Sequence, residues 1–447
     1  MMDWKKLLKK QRLGKTDVEK PQSARTCFQQ DYDRLVFSSP FRRLKDKTQV
    51  YSLAKNDYIR TRLTHSIEVS CVGRSLGTIV GYEILDKYKD ELKHLSASDF
   101  GSIVSAACLA HDIGNPPFGH AGENAIGSGF KKWENIAKEQ LNEQEKTDFE
   151  LFEGNAQGFR ILTRIEMPDR QGGMQLTYPT LSAFTKYPRE SKIPDDILNG
   201  YNGKSIKKYG FFQSEKTLFT EVAETIGLIR RHSEYSWWSR HPLAFLVEAA
   251  DDICYRIIDL EDGYRMGFIP FNITKELLNS IAEISDEKIN KNAGGNEEKV
   301  KYLRAVAINK LVNEVAKIFL EYESEILKGQ FDQELLSKSC HQEILKKIED
   351  ETKKRVFIAP EVISVQIAGY EVLGHLLAEL ADAVVEDQSV QTGKSHLLIS
   401  MLPEKYRPIP NEQAYRRIIK IIDYISGMTD SYATTLFQTL KGISLNK

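Results

Sequence analysis

Proline is scarce in this chain, 14 in 447 residues, and alternating β-branched runs are few. The usual breakers of helix are therefore missing over long stretches, and a β-rich fold is disfavoured. Cysteine is sparse too: five, at positions 27, 71, 108, 254 and 340. They form no C-x-x-C pair and no evenly spaced framework, which points to free, mostly buried thiols in a reducing compartment. No apolar run is long enough to span a bilayer, so no membrane partner is expected. The start, Met1–Lys10, is basic but lacks an apolar h-region. It reads as a solvated or interface arm rather than a signal peptide, and a cytoplasmic location is expected. Charge of one sign is also missing. With 62 basic and 63 acidic side chains, no net field steers the chain to nucleic acid or membrane. What remains is an ordinary hydrophobic content of 41%, in a length that accommodates one to three domains.

The pattern is helical nearly throughout. Residues 28–46 read as helix broken at Ser38-Ser39-Pro40, followed by a loop over 47–63. A helix is expected from about Thr64 to Leu85, with Ile67, Cys71, Val72, Leu76, Ile79 and Val80 on its apolar side. The apolar run Asp99–Ala110 reads as a buried helix, capped by Ser98 or Asp99 and stopped by Gly114 and Pro116-Pro117. Residues 127–215 are more polar and irregular, and read as an insertion that shapes a pocket. Helices return at 215–232 and 241–262. A mixed-charge helical pattern over 275–350 is interrupted at Gly294-Gly295-Asn296, and 360–385 and 411–440 are amphipathic. The expected fold is all-α. Gly-Lys-Ser occurs at 203–205 and 393–395, but Leu198 and Gln388 stand where a P-loop needs its first glycine.

The chain is organised around His111-Asp112, an adjacent pair where a buried helix stops. Burying a carboxylate and an imidazole beside apolar residues is costly unless something pairs with them, and a divalent metal is the obvious partner. His65 opens an earlier helix, and Asp251 lies on a later one. Two neutral imidazoles and two carboxylates suit a divalent ion with positions left open for water and phosphate oxygen. On the 241–262 helix, Asp251, Tyr255 and Asp259 follow one another at i, i+4 and i+8, a polar stripe on a largely apolar helix. His120 and Glu123, at i and i+3, can hydrogen-bond, and the carboxylate would raise the imidazole pKa. The remaining histidines, at 94, 232, 241, 341, 375 and 396, show no partner spacing and read as structural.

This ordered set resembles the HD-domain phosphohydrolases, and the longer blocks resemble the bacterial deoxyguanosine triphosphate triphosphohydrolases. The matching stretches are Phe41–Val50, Arg60–Ser66, His111–His120, Phe152–Gln157, Thr185–Pro188, Glu248–Ile253 and Gly427–Ala433, in family order. The resemblance implies an HD-domain helical bundle at 61–265 with its insertion at 127–215. An N-terminal helical arm at 1–60 and a helical C-terminal region at 266–447 would flank it. It implies hydrolysis of deoxynucleoside triphosphates, dGTP foremost, to nucleoside and triphosphate. A phosphodiesterase or nucleotidase on another nucleotide, or a non-catalytic nucleotide- or single-strand-DNA-binding relative, is the alternative.

Residue by residue, the resemblance makes His65, His111, Asp112 and Asp251 ligands of a divalent metal, Mg²⁺ or Mn²⁺ foremost with other transition metals as alternatives. It makes His120 and Glu123 the catalytic pair, Gln49, Tyr255 and Asp259 the deoxyribose contacts, and Arg62, Lys186, Tyr187 and Lys216 the phosphate side. Asn115 stands where some relatives of broader specificity carry a second histidine. Family members form homo-oligomers, often hexamers, and a single-stranded DNA or dNTP effector is an open partner.

Overall fold

The computed structural model describes residues 1–16, 25–49, 60–386 and 391–444. Among them there is no strand, only three isolated bridges, and the architecture is all-α as expected. Most of the expected loop at 47–63 lies outside the described residues, as does the last residue of the Phe41–Val50 block.

Local chemistry sets the helix ends that matter. Thr61, not Thr64, caps the helix Arg62–Lys87, because Thr61 and Thr64 form a reciprocal capping box. The helix Ala97–Ala110 starts after Ser96, whose backbone N–H donates to the Asp99 carboxylate at 2.9 Å. Asp99 thus lies inside the first turn, and neither it nor Ser98 is the cap. The 28–46 stretch forms two helices, Cys27–Val36 and Ser39–Arg43, with Pro40 in the first turn of the second. Expected segments 215–232 and 411–440 also stop or divide. The first ends at Ile226 before Gly227, and the second is two helices, Ala414–Ser426 and Asp430–Leu440.

The helices Arg62–Lys87 and Ala97–Ala110 form the most intimate pair in the molecule. Val72, Leu76 and Val80 face inward as expected, but Ile67 and Cys71 are exposed. Small residues take their place on the buried face. A Cβ built on Gly77 would sit 2.8 Å from the Phe100 carbonyl oxygen, so the backbones touch where a side chain would separate them.

Two apolar cores flank the site. The first runs from Met2 and Trp4 through the two packed helices and the helix Pro242–Arg265 to Val356. It does not break at 265. The N-terminal arm is docked on this core rather than solvated: Trp4 and Leu7 are buried, and Trp4 Nε1 donates to Glu323 at 2.9 Å. Spacing Trp4, Leu7 and Leu8 on one short turn gives the arm a single apolar face. The second core joins the helix Gly119–Lys132 to the C-terminal helices Pro360–Val385 and Ala414–Ser426. Residues 127–215 are more helical and more buried than their polarity suggests, with every residue of the helix Tyr178–Phe184 buried. Aromatic anchors at Phe149, Phe159, Phe184, Phe211 and Phe212 offset the charged stretch before them.

Gly77→Leu should lower unfolding free energy by about 1–3 kcal/mol or more, as overpacking does. Gly374 is the control: a Cβ there meets nothing within 4 Å, so Gly374→Ala should add roughly 0.5–1 kcal/mol through helix propensity. Urea denaturation followed by circular dichroism checks both signs.

Candidate active site

Three helices deliver the His/Asp set. His65 sits on the first turn of Arg62–Lys87, His111 ends Ala97–Ala110, and Asp251 lies mid-way along Pro242–Arg265. Asp251 Oδ1 is 3.3 Å from His65 Nε2 and 3.4 Å from His111 Nε2. Asp112 Oδ1 stands 3.5 Å from His111 Nε2. The nearest ligand atoms of His65, His111 and Asp251 all lie within 4.8 Å of one another.

The tautomer of His111 follows from its neighbour. Nδ1 lies 2.6 Å from the Cys108 carbonyl oxygen, which can only accept, so Nδ1 carries a proton and Nε2 is the ring nitrogen that faces the cluster. Two cations balance the carboxylates. Arg62 Nη1 donates to Asp112 Oδ2 at 2.6 Å, and Lys186 Nζ donates to Asp251 Oδ2 at 2.8 Å. Burial pushes the Asp112 carboxyl up, but Arg62 and the two imidazoles outweigh it and hold the group well below the carboxylate range. Asp251 is likewise raised by burial and lowered further by Lys186 and His111, to a net depression. Ionised carboxylates beside inward-facing imidazole nitrogens fit a divalent cation; the donor set is N₂O with Asp112 at its edge.

The turn after His111 brings the second group. A Cβ on Gly114 would meet the Gly154 carbonyl oxygen at 2.1 Å, so only glycine lets this turn seat against the helix Gly154–Arg160. Phe118 then takes a left-handed conformation, φ 62°, held by its N–H donating to Asp430 at 3.0 Å. From this turn starts the helix Gly119–Lys132. His120 Nδ1 lies 2.7 Å from Glu123 Oε2, and Gly154 N–H donates to Glu123 Oε1 at 2.8 Å. Glu123 is buried, whereas the His120 side chain is 78% exposed, facing the open space. The Glu123 hydrogen bond, with its charge, raises the His120 pKa above its ordinary value. Burial works to raise Glu123, but the His120 bond and Lys208 bring it below its own.

Both groups line one cavity of about 540 Å³, with Gln49, Arg62, Lys186, Tyr187 and Tyr255 on its walls. Two expected contacts are not on those walls. Lys216 turns away and pairs with Glu190 at 2.9 Å. Asp259 is buried behind Tyr255, one helical turn further from Asp251. Gln49 Oε1 and Asp259 Oδ2 are both buried without a partner among the described residues. Asn115 lines the cavity and donates to Asp112 Oδ1 at 2.5 Å.

Lys208 is the functional candidate that sequence reasoning missed. It lines the cavity and pairs with Glu153 Oε2 at 3.0 Å, with Glu123 Oε2 at 3.6 Å. Nothing in the run Lys204–Lys208 distinguishes it; its partners come from other helices. Glu153, at the start of the helix Gly154–Arg160, accepts from Asn155 N–H and from Lys208. It therefore serves as a cap and as a holder of the lysine.

A helical scaffold with an imidazole–carboxylate cluster on the wall of a cavity lined by both cations and carboxylates is the arrangement of a hydrolase-type site. Comparison with known proteins agrees. Residues 62–163 match the HD domain, and residues 345–439 match the phosphohydrolase-associated domain. A deoxyguanosinetriphosphate triphosphohydrolase-like protein of Synechocystis sp. is 55% identical over 447 residues, 99% of this chain and 100% of that protein. A like-named protein of Pseudomonas aeruginosa is 39% identical over 99% of both chains. A deoxyguanosinetriphosphate triphosphohydrolase of Yersinia enterocolitica is 31% identical over 98% of this chain and 99% of its own. The chain belongs to the deoxyguanosinetriphosphate triphosphohydrolase-like family of HD-domain phosphohydrolases.

Histidine NMR should find His120 keeping its proton above the usual imidazole range, and Glu123→Gln should return it toward about 6.5. An identical titration in both proteins would mean the 2.7 Å contact does not form in solution.

Proposed function

We propose that this protein hydrolyses deoxynucleoside triphosphates, dGTP foremost, to deoxynucleoside and inorganic triphosphate. The observation that carries the reading is one cavity with two unlike ends on one helix: the His65–His111–Asp251 cluster and, a turn away, Tyr255. Tyr255 lies about 6 Å along the helix from Asp251, at 1.5 Å rise per residue. A sugar held against Tyr255 and Gln49 puts its 5′-oxygen and α-phosphate nearest the cluster. The relatives named above support the substrate class through their names.

His65, His111, Asp112 and Asp251 would hold a divalent ion, Mg²⁺ or Mn²⁺, which when bound polarises a phosphate oxygen and acidifies a water. The chain's own residues do the rest. Arg62, Lys186, Tyr187 and Lys208 line the cavity where the polyphosphate charge would lie, and Arg62 and Lys186 exchange carboxylate for phosphate partners there. Water oxygen bonds to the α-phosphorus, its proton passing to solvent, and the bond from that phosphorus to the 5′-oxygen breaks. His120, kept protonated by Glu123, stands at the cavity mouth to give its proton to the leaving 5′-oxygen. Tyr255 crowds the 2′ carbon, so a ribonucleotide fits poorly.

With dGTP in ¹⁸O-water, label should appear in tripolyphosphate and none in deoxyguanosine, and GTP should react far more slowly. Asp251→Ala should lose bound metal and activity together, and His120→Ala should keep metal while kcat falls by about 10²–10⁴. Pyrophosphate or orthophosphate as first product would replace this reading with a nucleotidase or phosphodiesterase.

We extend the proposal to a homo-oligomer. Ile358, Ile363, Ile367 and Tyr370 are all exposed, and the last three share one face of the helix Pro360–Val385. Light scattering should give a mass above the 51.0 kDa chain, and Ile363→Glu with Ile367→Glu should reduce it to that value.

A further inference from the structure

Away from the cavity, three chemically different donors meet at one point on the surface. Glu314 stands on the helix Asn296–Glu321, and Cys340-His341 form the turn before the helix Gln342–Thr352. His341 Nδ1 lies 2.8 Å from Glu314 Oε2 and 3.3 Å from Cys340 Sγ. One ligand atom from each residue falls within 4.8 Å of the other two. Their supports are built in. Glu314 Oε1 accepts the Cys340 backbone N–H at 2.6 Å, which aims Oε2 at the imidazole. Ser339 Oγ accepts the His341 N–H at 2.9 Å and fixes the turn. The adjacent Cys-His pair is visible in the sequence, yet its carboxylate comes from another helix, so spacing alone leaves His341 looking structural.

The geometry discriminates between two chemistries. A cysteine nucleophile with a histidine base needs thiol and carboxylate on opposite ring nitrogens, one orienting while the other takes the proton. Here both approach Nδ1, which excludes that relay. Chelation asks for the reverse, several donors aimed at one point. Four-coordinate zinc, with Zn–S near 2.3 Å and Zn–N and Zn–O near 2.0–2.2 Å, sets its ligand atoms about 3.3–3.6 Å apart. The sulfur–nitrogen distance already meets this, and the nitrogen–oxygen pair needs to open by about half an ångström as its hydrogen bond gives way. A thiolate makes the set softer than the two-His, two-Asp cluster and selects against Mg²⁺.

We propose that Glu314, Cys340 and His341 form a second metal site, for a zinc-type divalent cation, with a fourth position open to solvent. Binding releases the Sγ proton to solvent and moves the imidazole proton from Nδ1 to Nε2, leaving neutral Nδ1, thiolate Sγ and Oε2 as ligands. The ion would staple the turn at 339–341 to the helix Asn296–Glu321. It takes no part in hydrolysis.

The test uses the full chain, stripped with chelator, kept reduced with a phosphine and titrated with Co²⁺. Wild type should show thiolate-to-cobalt charge-transfer absorption, bleached by one equivalent of Zn²⁺. The catalytic cluster has no thiolate, so this band reports only the second site, and Asp251→Ala should keep it. Cys71→Ser, an exposed thiol elsewhere, should keep it too. Cys340→Ser should abolish the band, and His341→Ala should weaken cobalt binding by at least about 10–100-fold. Unchanged circular dichroism separates ligand loss from unfolding. Absence of the band in wild type, or its survival in Cys340→Ser, overturns the proposal.

Discussion

The site depends on how closely the helix Arg62–Lys87 can lie against Ala97–Ala110. His65 and His111 belong to these two helices, and their ring centroids are 5.3 Å apart. Side chains of ordinary size between the helices would open that distance, as axes spread with the bulk at the contact. With Phe100 O against Gly77, the helices meet backbone to backbone, and the two imidazoles reach one oxygen of Asp251. The small residues are thus a distance setting for chemistry several turns away.

Charge is the second constraint. Four ionised or ionisable groups sit where the surroundings are largely apolar, and unpaired burial of a carboxylate is expensive. The ion pairs of Arg62 with Asp112 and Lys186 with Asp251 keep both carboxylates charged. Under the proposed function the same two cations that pair with the cluster's carboxylates also meet the polyphosphate. Asp252, also on the cavity wall, contrasts with its neighbour. Burial pushes it up to about 7, with Arg256 only partly offsetting this. Two adjacent aspartates on one helix thereby differ in proton affinity, Asp251 shifted down and Asp252 up.

Much of this was legible in the sequence, and the limits have physical causes. The helical class, the His65, His111 and Asp251 set and the His120–Glu123 pair follow from periodicity, local spacing and family order. Ile67 and Cys71 misled because hydrophobicity marks an apolar face, whereas the tightest contact uses residues with almost no side chain. Lys216 and Lys208 lie eight positions apart, and only the fold decides which enters the cavity. The N-terminal arm reads as solvated or as an interface because two pairs of lysines alternate with its apolar residues, and buried Trp4 and Leu7 settle it as docked. Long-range partners, such as Glu314 for His341, leave no trace in local spacing.

One contact links the ends of the chain. Asp430 accepts the Phe118 N–H that holds the left-handed turn ahead of His120, and it also takes the Thr48 hydroxyl. The second carboxylate-held feature of the site is thus secured from the helix Asp430–Leu440, more than 300 positions later. On a ribosome, the residues around His111 and His120 emerge early and must wait. Until synthesis has passed Asp430 the turn lacks its clamp, so a partly made chain carries the His65–His111–Asp251 cluster but not the finished cavity. Assembly order, as well as sequence, therefore delays the moment at which the site is complete.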